Sequence, residues 1–113
     1  MSTSRITTHV LDATNGRPAP GISVELQQHQ GGSWHRVAAS VTDDDGRISQ
    51  LGPDDLKPGE YRLRFDTGTW FAGRGIDTFY PEVVLTVRVV DDGRHVHAPL
   101  LLSPFAYSTY RGS

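Results

Sequence analysis

His95 and His97 stand two residues apart in the run His95-Val96-His97-Ala98-Pro99-Leu100-Leu101-Leu102. On a strand, residues so spaced project to one side about 7 Å apart. Two imidazoles held that way suit proton transfer near neutral pH, or supply half of a zinc site. Val96, Ala98, Leu100 and Leu102 take the opposite side and are expected in a core, which puts both histidines on an outer face. His9 belongs to a similar pattern: Ile6, Thr8 and Val10 share one face, while Thr7, His9 and Leu11 share the other. A cluster of His9, His95 and His97 is one outcome of that arrangement. A solvated histidine pair beside a turn is the other, since spacing fixes no carboxylate or further ligand near them. Arg47 follows the turn Asp43-Asp44-Asp45-Gly46, which lacks the length and closing glutamate of a calcium loop. It is either a surface residue at a strand start or a donor for anionic oxygen. His29 and His35 flank Gly31-Gly32 and are assigned no role.

The chain closes on Tyr110-Arg111-Gly112-Ser113, shortly after the apolar run. Chain ends usually fray. A segment that offers rings, a guanidinium and a hydroxyl straight after core-like sequence is expected to be tied down instead.

Positioning these groups falls to short strands. Most apolar residues alternate, as in half-buried strands: Ile22, Val24 and Leu26; Tyr61, Leu63 and Phe65; Val83, Leu85, Val87 and Val89. Asp12–Gly21 and Gly52–Gly59 are rich in turn formers and read as loops, the second with room for a short edge strand. Gly31-Gly32 turns the chain into a strand at about 34–41, and Asp91-Asp92-Gly93 reads as a hairpin turn. Between 69 and 76 the alternation breaks, predicting a short helix kept short by Gly73 and Gly75. The sum is an all-β, two-sheet sandwich of seven or eight strands with one short helix, forming a single domain over 1–113.

Composition narrows the partners. Eleven positive charges, ten of them arginine, are scattered against thirteen negative ones, which argues against nucleic acid or an anionic membrane surface. With no cysteine there are no disulfides or thiolate metal sites. The N-terminal residues show no apolar signal region and no run is long enough to span a bilayer, so a cytoplasmic location is expected.

Together, THVLDATNGRPAPGISVEL, TDDDGR, GEYRLRF, FYPEVVLTVRV and HVHAPLLLSPFAYSTYRGS resemble the transthyretin-related hydrolases from Thr8 to Ser113. The glycine–proline turn and strand through Leu26 is shared with many β-sandwich modules. The ending Pro99–Pro104 followed by Tyr110–Ser113 is specific, and separates the hydrolases from the hormone carriers of like fold. The resemblance implies a transthyretin-like homotetramer, with sites along the channel at the dimer–dimer interface. It also implies hydrolysis of the small molecule 5-hydroxyisourate to 2-oxo-4-hydroxy-4-carboxy-5-ureidoimidazoline, in urate degradation, without metal or cofactor. His9, Arg47 and His97 match the family's catalytic positions. Arg47, Tyr110, Arg111, Gly112 and Ser113 are the implied substrate contacts, and His95 is read as a bystander. Val96 and Trp70 depart from tyrosines common in the family, touching local packing only. The rival functions are a carrier of a small aromatic ligand and a zinc hydrolase using His9, His95 and His97.

Overall fold

The computed structural model describes residues 3–113. Met1 and Ser2, assigned to no element from sequence, lie outside the described residues. Among the described residues nine strand segments occur in chain order: β1 (Ile6–Asp12), β2 (Arg17–Pro18), β3 (Ser23–Gln30), β4 (Ser33–Val41), β5 (Arg47–Ile48), β6 (Gly59–Phe65), β7 (Val83–Val89), β8 (Val96–Ser103) and β9 (Ala106–Thr109). A helix, α1 (Thr67–Ala72), joins β6 to β7. One sheet has the order β2-β1-β8-β9, with β5 also on β1; the other runs β4-β3-β6-β7.

Alternation sends one face of each sheet into a shared core. Ile6 and Val10, Val24 and Leu26, Tyr61, Leu63 and Phe65, and Val96, Ala98, Leu100 and Leu102 are all buried there. Gly31 and Gly32 both adopt positive φ, which closes the tight β3–β4 hairpin. The helix starts two residues earlier than the broken alternation suggests. Asp66 caps it by accepting from the Thr69 amide at 3.3 Å, and Gly73 closes it. Trp70 is buried and donates its indole N–H to Pro20 O at 2.7 Å. The structure has more strands than expected because β2 and β5 are two-residue pairings. No strand forms in the Gly52–Lys57 loop.

The Asp91–Gly93 turn is not a hairpin. It carries the chain from β7 in one sheet to β8 in the other, where β8 lies parallel to β1. Arg5 secures this crossover: Nη2 donates to Val90 O at 2.9 Å and Nε to Arg94 O at 2.8 Å. Its guanidinium is buried, but the paired Asp55 side chain is 91% exposed, so that ion pair adds little. The carbonyl bonds carry the effect. Arg5→Met is expected to lower unfolding stability by about 1–3 kcal/mol, read by urea denaturation, because it strands both acceptors.

Pro99 explains how the last residues are held. It lies within β8, and the β9 ladder covers only Leu100–Ser103. Upstream of that ladder Thr109 donates its hydroxyl to Pro99 O at 2.7 Å, and the Gly112 amide donates to His97 O at 2.8 Å. The closing segment is therefore pinned along β8.

Candidate active site

Parallel pairing of β1 with β8 sets Thr7 opposite His97, and antiparallel pairing with β5 sets His9 opposite Arg47. Side chains from three strands thus meet on the outer face of one sheet. Thr7, Arg47, His95, His97 and Ser113 line a cleft of about 230 Å³.

Arg47 owes its place to the acidic turn before it. Asp43 Oδ1 accepts the amides of Asp45 and Arg47, each at 2.9 Å. Gly46 adopts φ +74°, and a Cβ there would fall 2.3 Å from Val10 O, so only glycine lets the turn press on β1. Among the described residues nothing pairs with the Arg47 guanidinium, which stands exposed at the cleft.

His9 is half-buried beside Arg47, with Nε2 2.9 Å from Asp45 O. A carbonyl only accepts, so Nε2 carries the proton and Nδ1 of the neutral ring keeps its lone pair. His9 does not line the cleft itself.

His97 is the most constrained of the set. Its Nδ1 lies 2.8 Å from Thr7 Oγ1, and Thr7 Oγ1 is also 2.8 Å from His95 Nε2. The His95 and His97 rings stack with centroids 6.4 Å apart, close to the separation expected from their spacing. On its other side His97 meets Gly112, where a Cβ would come 2.5 Å from His97 Cδ2. Burial holds the His97 imidazole below its ordinary 6.5, with the positive fields of His95, Arg47 and His9 acting in the same direction and a hydrogen bond to the Thr7 backbone opposing. The ring is therefore neutral at and above neutral pH.

The closing residues split between two places. Ser113 enters the cleft with Arg47 and His97. Tyr110 and Arg111 line an adjoining cavity of about 440 Å³ against β7, which His97 also borders. Arg111 Nη2 reaches His95 O at 3.3 Å. His95 is thus no isolated neighbour, since Thr7 links it to His97. Thr7 itself escaped the sequence reading; the only available signal was its sharing of an outward face with His9.

Fold and site define a transthyretin-like β-sandwich that bears a polar, histidine-lined cleft. Residues 6–112 match the HIUase/Transthyretin family. The 5-hydroxyisourate hydrolase of Salmonella typhimurium is 43% identical over 109 residues, covering 96% of this chain and 80% of that protein. The Klebsiella pneumoniae 5-hydroxyisourate hydrolase structure superposes with a TM-score of 0.85 at 36% identity, over 96% of this chain and 98% of that one. Sea bream transthyretin in complex with thyroxine superposes at 0.91 with 31% identity, over 96% and 94%. The chain belongs to the HIUase/Transthyretin family. Backbone similarity does not separate its hydrolases from its carriers, so the choice falls to the side chains.

Proposed function

We propose that the protein hydrolyses 5-hydroxyisourate to 2-oxo-4-hydroxy-4-carboxy-5-ureidoimidazoline, with His97, His9 and Arg47 as the reacting set. The observation that carries this is the Arg47 guanidinium, unpaired among the described residues, sharing a cleft with the neutral His97 imidazole. Opening a cyclic amide with water requires removal of the water's proton during attack and stabilisation of the oxygen that gains charge. His97 serves as the base, because its depressed affinity for protons keeps its lone pair available. Arg47 donates paired N–H groups to the substrate oxygens where charge gathers. His9 orients water through Nδ1, or donates from it, once protonated, to the leaving nitrogen. Ser113 and Gly112 border the substrate on the His97 side, and Tyr110 and Arg111 contact it from the adjoining cavity.

The expected pH profile follows from the sign of the His97 shift. Protonation disables the base, and it occurs below 6.5 in the folded protein. The plateau of kcat/KM should therefore extend below that value before an acid limb appears. Folding stability should decline over the same interval, where the unfolded chain binds the proton more readily than the folded one. An acid limb centred above 6.5 in the pH–rate profile would remove His97 from the role of base.

Gly112→Ala tests the closing segment. The added methyl collides with the His97 ring, while the backbone there needs no left-handed φ. Turnover should fall on the order of tenfold or more as the imidazole moves, with the melting temperature little changed.

The assay that decides between enzyme and carrier follows the ultraviolet decay of freshly generated 5-hydroxyisourate at substoichiometric protein. A hydrolase accelerates it over many equivalents; a carrier leaves the spontaneous rate. A carried aromatic ligand needs no unpaired guanidinium beside two imidazoles. Zinc chemistry meets a different obstacle, because among the described residues no three His, Cys, Asp or Glu side chains stand together as a metal-binding group. Activity that survives a chelator would exclude it.

The assembly we infer is a homotetramer with the cleft at its dimer–dimer interface. Among the described residues the β7 and β9 edges have no neighbour, and Phe79, Phe105, Tyr107 and Tyr110 stand exposed. Among the described residues no helix is long and apolar enough to cross a membrane, and we infer cytoplasmic residence.

A further inference from the structure

Thr7 is nearly buried, at 6% exposure, although it lies on the outward face of β1. Its neighbour Thr8 turns the other way and donates to Ala98 O at 2.7 Å. Thr7 instead places one hydroxyl between two imidazole nitrogens, each 2.8 Å distant. A hydroxyl has a single proton, so it donates to one of these rings at most. Being β-branched and enclosed, the side chain has little rotamer freedom with which to escape that choice.

Two proton arrangements satisfy all three groups with one donor per bond. In the first, His97 Nδ1–H donates to Thr7, and the Thr7 hydroxyl donates to His95 Nε2. In the second the order reverses: His95 Nε2–H donates to Thr7, Thr7 donates to His97 Nδ1, and the His97 proton moves to Nε2. Arg47 shares the cleft with His97, and its guanidinium, which offers only N–H donors, favours a lone pair over an N–H on the ring nitrogen not held by Thr7. His95 is exposed, so water accommodates either of its tautomers.

We propose that Thr7 is a positioning residue which, with His95 as its acceptor, locks His97 in the Nδ1–H tautomer and leaves Nε2 bare. Resting on the hydrolase function above, this assigns Nε2 as the atom that takes the proton from water. It also gives His95 a part: it receives the Thr7 proton and so fixes the direction of the chain. When Nε2 takes a proton during turnover, the Nδ1–H to Thr7 bond persists and nothing need rotate.

The test reads the tautomer directly. Long-range nitrogen–proton correlation spectra of the wild-type protein, above the His97 titration, should show protonated Nδ1 and bare Nε2. Thr7→Val removes the hydroxyl but keeps the shape. It should return His97 toward the Nε2–H form usual in water and lower kcat on the order of 10- to 100-fold. Thr7→Ser should restore both the nitrogen shifts and most of the rate, which a purely packing role would not do. His95→Gln, on an exposed position that cannot unfold the core, should shift the tautomer part of the way. A wild-type His97 in the Nε2–H form would overturn the proposal, as would a Thr7→Val protein with unchanged shifts and rate. Spectra showing bare Nε2 in a protein that leaves 5-hydroxyisourate to decay spontaneously would refute the hydrolase function and leave the tautomer lock standing.

Discussion

Arg47→Gln is expected to reduce kcat/KM for 5-hydroxyisourate by about 10²- to 10³-fold, the scale of losing one preorganised donor to developing charge. The guanidinium has no partner among the described residues, so its removal breaks no ion pair and strands no buried acceptor. The turn that presents it is held by Asp43 through backbone amides, which the substitution leaves in place. Stability should therefore stay within about 0.5 kcal/mol of wild type, as for ordinary exposed positions. Arg47→Lys is informative beside it. Lysine keeps the charge but not the planar pair of donors, so a large residual loss would show that the fork matters and charge alone does not suffice. Calorimetry together with steady-state kinetics separates these outcomes.

His97→Asn should have the larger effect, about 10²- to 10⁴-fold in kcat, the range for a positioned general base. Asparagine sets an amide near the place of Nδ1 and can still meet Thr7, so the sheet keeps its local bond. It offers no lone pair of comparable basicity at the position of Nε2. The acid limb assigned to His97 should vanish along with the rate. A variant that keeps a wild-type acid limb would assign that limb to His9 instead.

Much of this is legible in the sequence. Two-residue alternation gave the main strands and the core faces, because a sheet buries every second side chain. The same logic put His9 and His97 on the outer face and left Arg47 beyond a tight turn. What alternation cannot specify is which strands become neighbours. Asp91-Asp92-Gly93 has hairpin chemistry, yet the chain crosses between sheets there, and the deciding residue is Arg5, more than eighty positions away by sequence. Parallel pairing of β1 with β8 is equally invisible in the pattern. It is also what sets Thr7 beside His97 and turns His95 from a bystander into the end of a hydrogen-bonded chain. In the sequence Gly112 belongs to an unusual ending, but its physical reason appears only in the packing. The residue stands where a methyl group would strike the His97 ring.

The most direct measurement follows the absorbance of freshly formed 5-hydroxyisourate mixed with substoichiometric wild-type protein, and in parallel with an Arg47→Gln/His97→Asn double variant shown by calorimetry to be folded. The wild type should consume many equivalents far faster than the spontaneous decay, while the double variant leaves that decay nearly unaltered. Groups that act together lose activity non-additively, so the double variant need not fall by the product of the two single losses. A folded double variant that turns the substrate over at the wild-type rate would place the chemistry somewhere other than this cleft.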